Sequence, residues 1–113
     1  MKIKLDERNN VVVVELMGDI MDKSCFDEFK EKINELINQG KTNIVIDLGN
    51  VVHMNSLGLG MLICGYTSVK NAQGNMKLAR STAKIDKLLE VTKLVTIFEL
   101  YESIDEAVAS YGN

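Results

Sequence analysis

The 113-residue chain has no proline, one histidine, two cysteines and no basic cluster. Each shortage excludes something. Without proline, an internal repeat or a low-complexity tract, no stretch reads as a linker, so residues 1–113 are expected to form one domain. Cys25 and Cys64 are too few and too far apart for a disulfide framework or a zinc site. They are expected as reduced, buried thiols of a cytosolic protein. A net charge of −3 without a basic run argues against a nucleic-acid surface. The opening MKIKLDERNN carries charge within and after its few apolar residues, unlike a signal peptide. Leu48 to Val69 has no charged residue and is long enough to cross a bilayer. Asn50, His53, Asn55, Ser56 and four glycines interrupt it, however, so a membrane span is rejected.

With 46% apolar and 26% charged residues, the chain has the composition of an ordinary soluble globular domain, and its apolar residues are patterned. Lys2 to Leu5 alternate as a half-exposed strand does, Asn9-Asn10 suits a turn, and Val11 to Leu16 is a β-branched strand ending at Gly18. Phe26, Phe29, Ile33, Leu36 and Ile37 fall on one stripe of a helix that Gly40 ends as a left-handed terminal residue. Asn43 to Leu48 predicts a central strand, with a loop after Leu48. Leu59, Leu62, Ile63, Tyr66 and Val69 mark a second helix, NAQGN a turn, and Met76 to Ala79 a short strand. Ile85, Leu88, Leu89 and Thr92 mark a third helix capped by Ser81 or Thr82. Thr96 to Leu100 predicts the last strand. Ser103 and Glu106 form a capping box for a final helix. The order is β-β-α-β-α-β-α-β-α: an α/β domain with a mixed, mostly parallel sheet of about five strands and four helices.

The stretch HMNSLGLGML, residues 53 to 62, places two glycines where a helix should begin, with a serine before them. Enzyme motifs fit it poorly. Gly58-Leu-Gly60 starts a dinucleotide fingerprint whose third glycine falls on Ile63. Gly60 and Gly65 have phosphate-loop spacing, but Tyr66 stands where the lysine is needed. Ser56 lacks a G-x-S-x-G elbow, and His53, three residues away, is the single histidine available to a triad. No catalytic residue, metal site or cofactor is therefore expected. Ser56 and Asn55 are both favoured helix caps, and the glycines could serve close packing of helix on sheet. Each glycine nevertheless disfavours helix by roughly 0.8–1 kcal/mol relative to alanine. A second reading is that another protein approaches the backbone there, with Leu57, Leu59 and Met61 supplying apolar surface.

VVHMNSLGLGMLICGYTSVK resembles the signature of STAS domains, most closely the bacterial anti-sigma-factor antagonists, and the likeness extends over VVVVELMGDI and KLLEVTKLVTIFELYESIDEAV. The family pattern is an apolar strand, a short loop, M-D-S-[ST/A]-G-L-G and an amphipathic helix. Its phosphorylated serine matches Ser56, and its glycines match Gly58 and Gly60. This chain departs from it at Asn55, where the family is acidic, and at His53, where an aromatic or apolar residue is usual. It departs also at Met21, where the family's G-[ED]-[LI]-D has aspartate; Asp22 comes one residue later.

The resemblance implies a cytoplasmic partner switch that is not an enzyme. Its unmodified form would bind an anti-sigma factor with serine kinase activity and free the sigma factor. Phosphorylation of Ser56 would end binding, and a serine phosphatase would reverse it. The implied partner surface is Asp22 with Asn55, Ser56, Leu57, Gly58, Leu59, Gly60 and Met61. The alternatives are a constitutive STAS scaffold without a phosphoswitch, and a small-ligand or nucleotide-binding module using the same helix entrance.

Overall fold

The computed structural model describes residues 1–112; Asn113 and the side chain of Val95 lie outside the described residues. β1 (Lys2–Arg8) and β2 (Val11–Ile20) form a hairpin. Asn9 and Asn10 turn it at φ 51° and 67°, the left-handed region that asparagine tolerates. Next along the chain come α1 (Lys23–Asn38), β3 (Asn43–Met54), α2 (Ser56–Asn71), β4 (Asn75–Ala79), α3 (Ala83–Val91), a 3-10 turn (Leu94–Thr96), β5 (Leu100–Tyr101) and α4 (Ile104–Ala109). The five strands lie in the order β1-β2-β3-β4-β5, antiparallel in the first pair and parallel thereafter. The expected order and mixed sheet are therefore both present.

Side chains alternate across the strands and so make two cores. Val12, Val14, Leu16, Ile44, Ile46, Leu48, Met76 and Leu78 face α1, α2 and α3. Val11, Val13, Val45 and Ala79 face the other way, onto Ala107 and Val108 of α4. Fully burying one such aliphatic side chain is worth about 1.5–3 kcal/mol, so the three-helix face dominates.

The face carrying α4 also holds the two buried charges among the described residues, Asp47 and Lys77. Arg80 donates to both oxygens of Asp47, Nε at 2.8 Å and Nη2 at 3.0 Å, and the Gly49 N–H donates from 3.0 Å. Lys77 Nζ donates to Ser110 Oγ at 2.8 Å and lies 4.2 Å from the Tyr111 ring centre. The Tyr111 hydroxyl bridges β3 and β4, facing the carbonyls of Ile44 and Asn75 while the Ile44 N–H donates to it from 3.2 Å. Burial raises the Tyr111 phenol well above its ordinary pKa, so it stays a donor.

Several expectations change, and one open choice is resolved. The strand read over Thr96–Leu100 is a 3-10 turn followed by two strand residues, because Lys93 turns at φ 62° and Phe98 is buried as a core knob. β2 does not end at Gly18 but runs to Ile20, and the segment after Leu48 is not a loop: β3 continues to Met54, with one extra β3 residue opposite Glu15–Met17 and another opposite Gly18–Asp19. Thr82, not Ser81, caps α3. Gly40 ends α1 at φ 74°, and Ser103 with Glu106 forms the expected capping box. Cys25 is buried, whereas Cys64 is only part-buried; both are free.

Candidate functional site

β2 and β3 are parallel neighbours, so their carboxyl ends emerge side by side, Asp19 beside His53 and Ile20 beside Met54. Two short turns leave these ends, one into α1 and one into α2. Asp22 caps α1, accepting from the Cys25 N–H at 3.0 Å and the Ser24 hydroxyl at 2.7 Å. Those bonds, the Ser24 one foremost, hold this exposed carboxyl at about 2 rather than 3.8. His53 Nδ1 and Asp19 Oδ1 stand 3.0 Å apart on the surface.

The α2 entrance assigns the roles that sequence left open. Asn55 is the cap: its Oδ1 accepts from the Leu57 and Gly58 N–H groups, each at 3.1 Å. Its Nδ2 donates to the Met21 carbonyl at 3.1 Å, tying one turn to the other. Ser56 is thus the first helical residue and not the cap. Its side chain is exposed and makes no hydrogen bond among the described residues.

The two glycines divide. A Cβ on Gly58 would lie 2.6 Å from the Ile20 carbonyl oxygen and 2.8 Å from Met54 Cγ, so this glycine lets α2 sit against the end of β2. A Cβ on Gly60 would meet nothing within 4 Å. The expected apolar surface changes too. Leu59 and Met61 are 3% and 1% exposed, because α2 turns them into the core; with Gly58 they are packing residues, not a partner-facing surface. The apolar groups that do face outward are Leu57 (39%), Met21 (46%) and Val52 (59%). Sequence reasoning did not place Met21 or Val52 on this surface. The one signal available was that both adjoin the ends of the strands that carry the turns. Asp22, Asn55, Ser56, Leu57 and Gly60 thus keep at least part of their surface open, while Gly58, Leu59 and Met61 lie beneath.

A five-stranded sheet in this order, with a capped serine-led helix after its central strand, can be compared with known proteins. The STAS domain family matches residues 2–107. The chain belongs to the STAS domain family. An anti-sigma-B factor antagonist of Bacillus subtilis is 29% identical to this STAS domain over 102 residues, 88% of this chain and 92% of the relative. The crystal structure of an anti-sigma factor antagonist from Mycobacterium paratuberculosis has a TM-score of 0.80 at 23% identity, covering 96% of this chain and 92% of that one. The Bacillus cell fate determinant SpoIIAA in its phosphorylated form has a TM-score of 0.76 at 20% identity, covering 97% and 99%. The structural likenesses establish the fold. Among the described residues of this STAS domain, no helix is long and apolar enough to cross a membrane.

Proposed function

We propose that this STAS domain is an anti-sigma-factor antagonist that works by partner switching in the cytoplasm. Its unmodified form binds an anti-sigma factor with serine kinase activity and frees the sigma factor. The kinase transfers phosphate from its own ATP to the Ser56 hydroxyl, which ends binding, and a serine phosphatase restores it. In this reading the domain is a binding protein and catalyses nothing itself.

The observation that carries the reading is the division of labour between neighbours: Asn55 does the capping and leaves the Ser56 hydroxyl exposed and uncommitted. A phosphate there adds about −1.5 to −2 charge at a helix N-terminus, which the macrodipole accepts, so the fold tolerates it. The same charge lands next to the exposed Leu57, at an entrance that Asn55 ties to the Met21 carbonyl, where a partner would have to desolvate it. Named relatives that are anti-sigma factor antagonists support the same role.

The test is incubation with a serine-kinase anti-sigma factor and ATP, with the phosphate mapped by mass spectrometry, followed by titration calorimetry of Ser56→Asp and Ser56→Ala. Phosphate should appear on Ser56. Ser56→Asp should keep the fold and lose affinity, while Ser56→Ala should bind as the unmodified protein does. Because Asn55 is the cap, Ser56→Ala should also leave stability within about 0.5 kcal/mol of wild type. Equal affinity of both variants, without phosphate at Ser56, would mean a constitutive scaffold.

A further inference from the structure

The side chain of Asn55 uses both ends. Its oxygen is committed to two α2 N–H groups, so the group facing the Met21 carbonyl at 3.1 Å must be the NH2. A carboxylate at this position would cap α2 about as well. Its second oxygen would, however, confront the Met21 carbonyl oxygen with no proton to share. A serine would cap too, but is one atom short of Met21. The β2–α1 turn is therefore fixed to α2 at two points: the Ile20 carbonyl packs under Gly58, and the Met21 carbonyl is held by Asn55. The Met21 side chain, on the turn held between these points, is 46% exposed.

We propose that Asn55 is a positioning residue whose side-chain amide makes the β2–α1 turn and the α2 entrance one preformed partner-binding surface. This deepens the function proposed above and rests on it. Holding Met21 and Asp22 in place before encounter removes the ordering cost that binding would otherwise carry. The amide is required because a carboxylate cannot donate to the turn and a serine hydroxyl, though it can donate, is too short to reach it.

Two variants separate placement from charge: Asn55→Asp and Asn55→Ser, both caps. Carbonyl carbon and amide nitrogen NMR signals of the free protein report the turn directly. The Met21 carbonyl and Asp22 amide signals should move in both variants, while the Leu57 and Gly58 amides remain hydrogen-bonded. Affinity for the serine-kinase anti-sigma factor from the same genome should fall about three- to tenfold in both, the size of one hydrogen bond. Unmoved Met21 and Asp22 signals in either variant would overturn the proposal. So would weaker binding by Asn55→Asp alone, which would show that charge and not placement matters. Wild-type protein that fails to bind that partner would overturn the functional reading and the surface with it; shifted Met21 signals would then remain as an intramolecular bond only.

Discussion

The α2 entrance and the face of the sheet under α4 are both rich in polar groups, yet they are built by opposite rules. On the α4 face the charges are sunk: Asp47 is buried against the Arg80 fork, and Lys77 is held between Ser110 and the Tyr111 ring. Their side-chain partners, Arg80 and Ser110, lie 33 residues away in sequence, and each group makes more than one hydrogen bond. At the α2 entrance Asp19, Asp22, His53 and Ser56 stand in solvent, and their bonds are to near neighbours or to each other. The first region fixes the fold and cannot lose a member cheaply. In the proposed switch, the second would change charge while the fold stays put.

The comparison breaks most visibly at Arg80. Removing one partner of a buried ion pair costs about 3–5 kcal/mol, because the other charge stays buried. The Arg80 side chain is 39% exposed, which places Arg80→Ala at the lower end of that range. Denaturant melts should show the loss, whereas Ser56→Asp should melt close to wild type. A smaller effect sharpens the contrast within the entrance itself. Gly58→Ala should destabilise by about 1–3 kcal/mol, since its new methyl meets a backbone carbonyl. Gly60→Ala should stabilise by about 0.8–1 kcal/mol, since its methyl meets open space in a helix. Thermal melts of the two alanine variants should therefore move in opposite directions; movement in the same direction would contradict the packing found at Gly58.

The smallest effect is a pH dependence. The folded Asp22 carboxyl sits at about 2, below its ordinary 3.8. A depressed folded pKa gives stability that is fully present above about 4 and lost as pH falls through about 2. Asp22→Asn, which still caps, should flatten that part of the stability profile between pH 4 and pH 2. An unchanged profile would mean the cap bonds do not distinguish the charged form.

The sequence made the fold legible wherever pattern is local. The β-branched run Val11 to Leu16, the stripe from Phe26 to Ile37 and the Ser103–Glu106 box each declare an element within a few residues. Legibility failed where geometry is not local. Thr96 to Leu100 looks like a strand by residue type, but the left-handed Lys93 and the burial of Phe98 leave strand pairing only to Leu100 and Tyr101. In the candidate site, Asn55 and Ser56 are both good caps, and only coordinates choose between them. Period put Leu59 on the inward stripe of α2, but it could not sort Leu57 from Met61, because apolar residues occupy several sides of the helix; Leu57 is exposed and Met61 is core. Asp47 and Arg80 were invisible as a pair, since 33 residues separate them.

The strands stand in the sheet in the order in which they occur along the chain, so strand pairing never has to skip a neighbour. The Tyr111 hydroxyl departs from that pattern, joining residues 67 positions apart at Ile44. Closing so long a loop is entropically demanding, and so is the exposed Arg8–Asp105 pair that also ties α4 to the first hairpin across 97 positions. The clasp of α4 is therefore expected to form late in folding. Weakening it should leave the folding rate nearly unchanged and quicken unfolding, so that Tyr111 sets the lifetime of the native state more than the speed of reaching it.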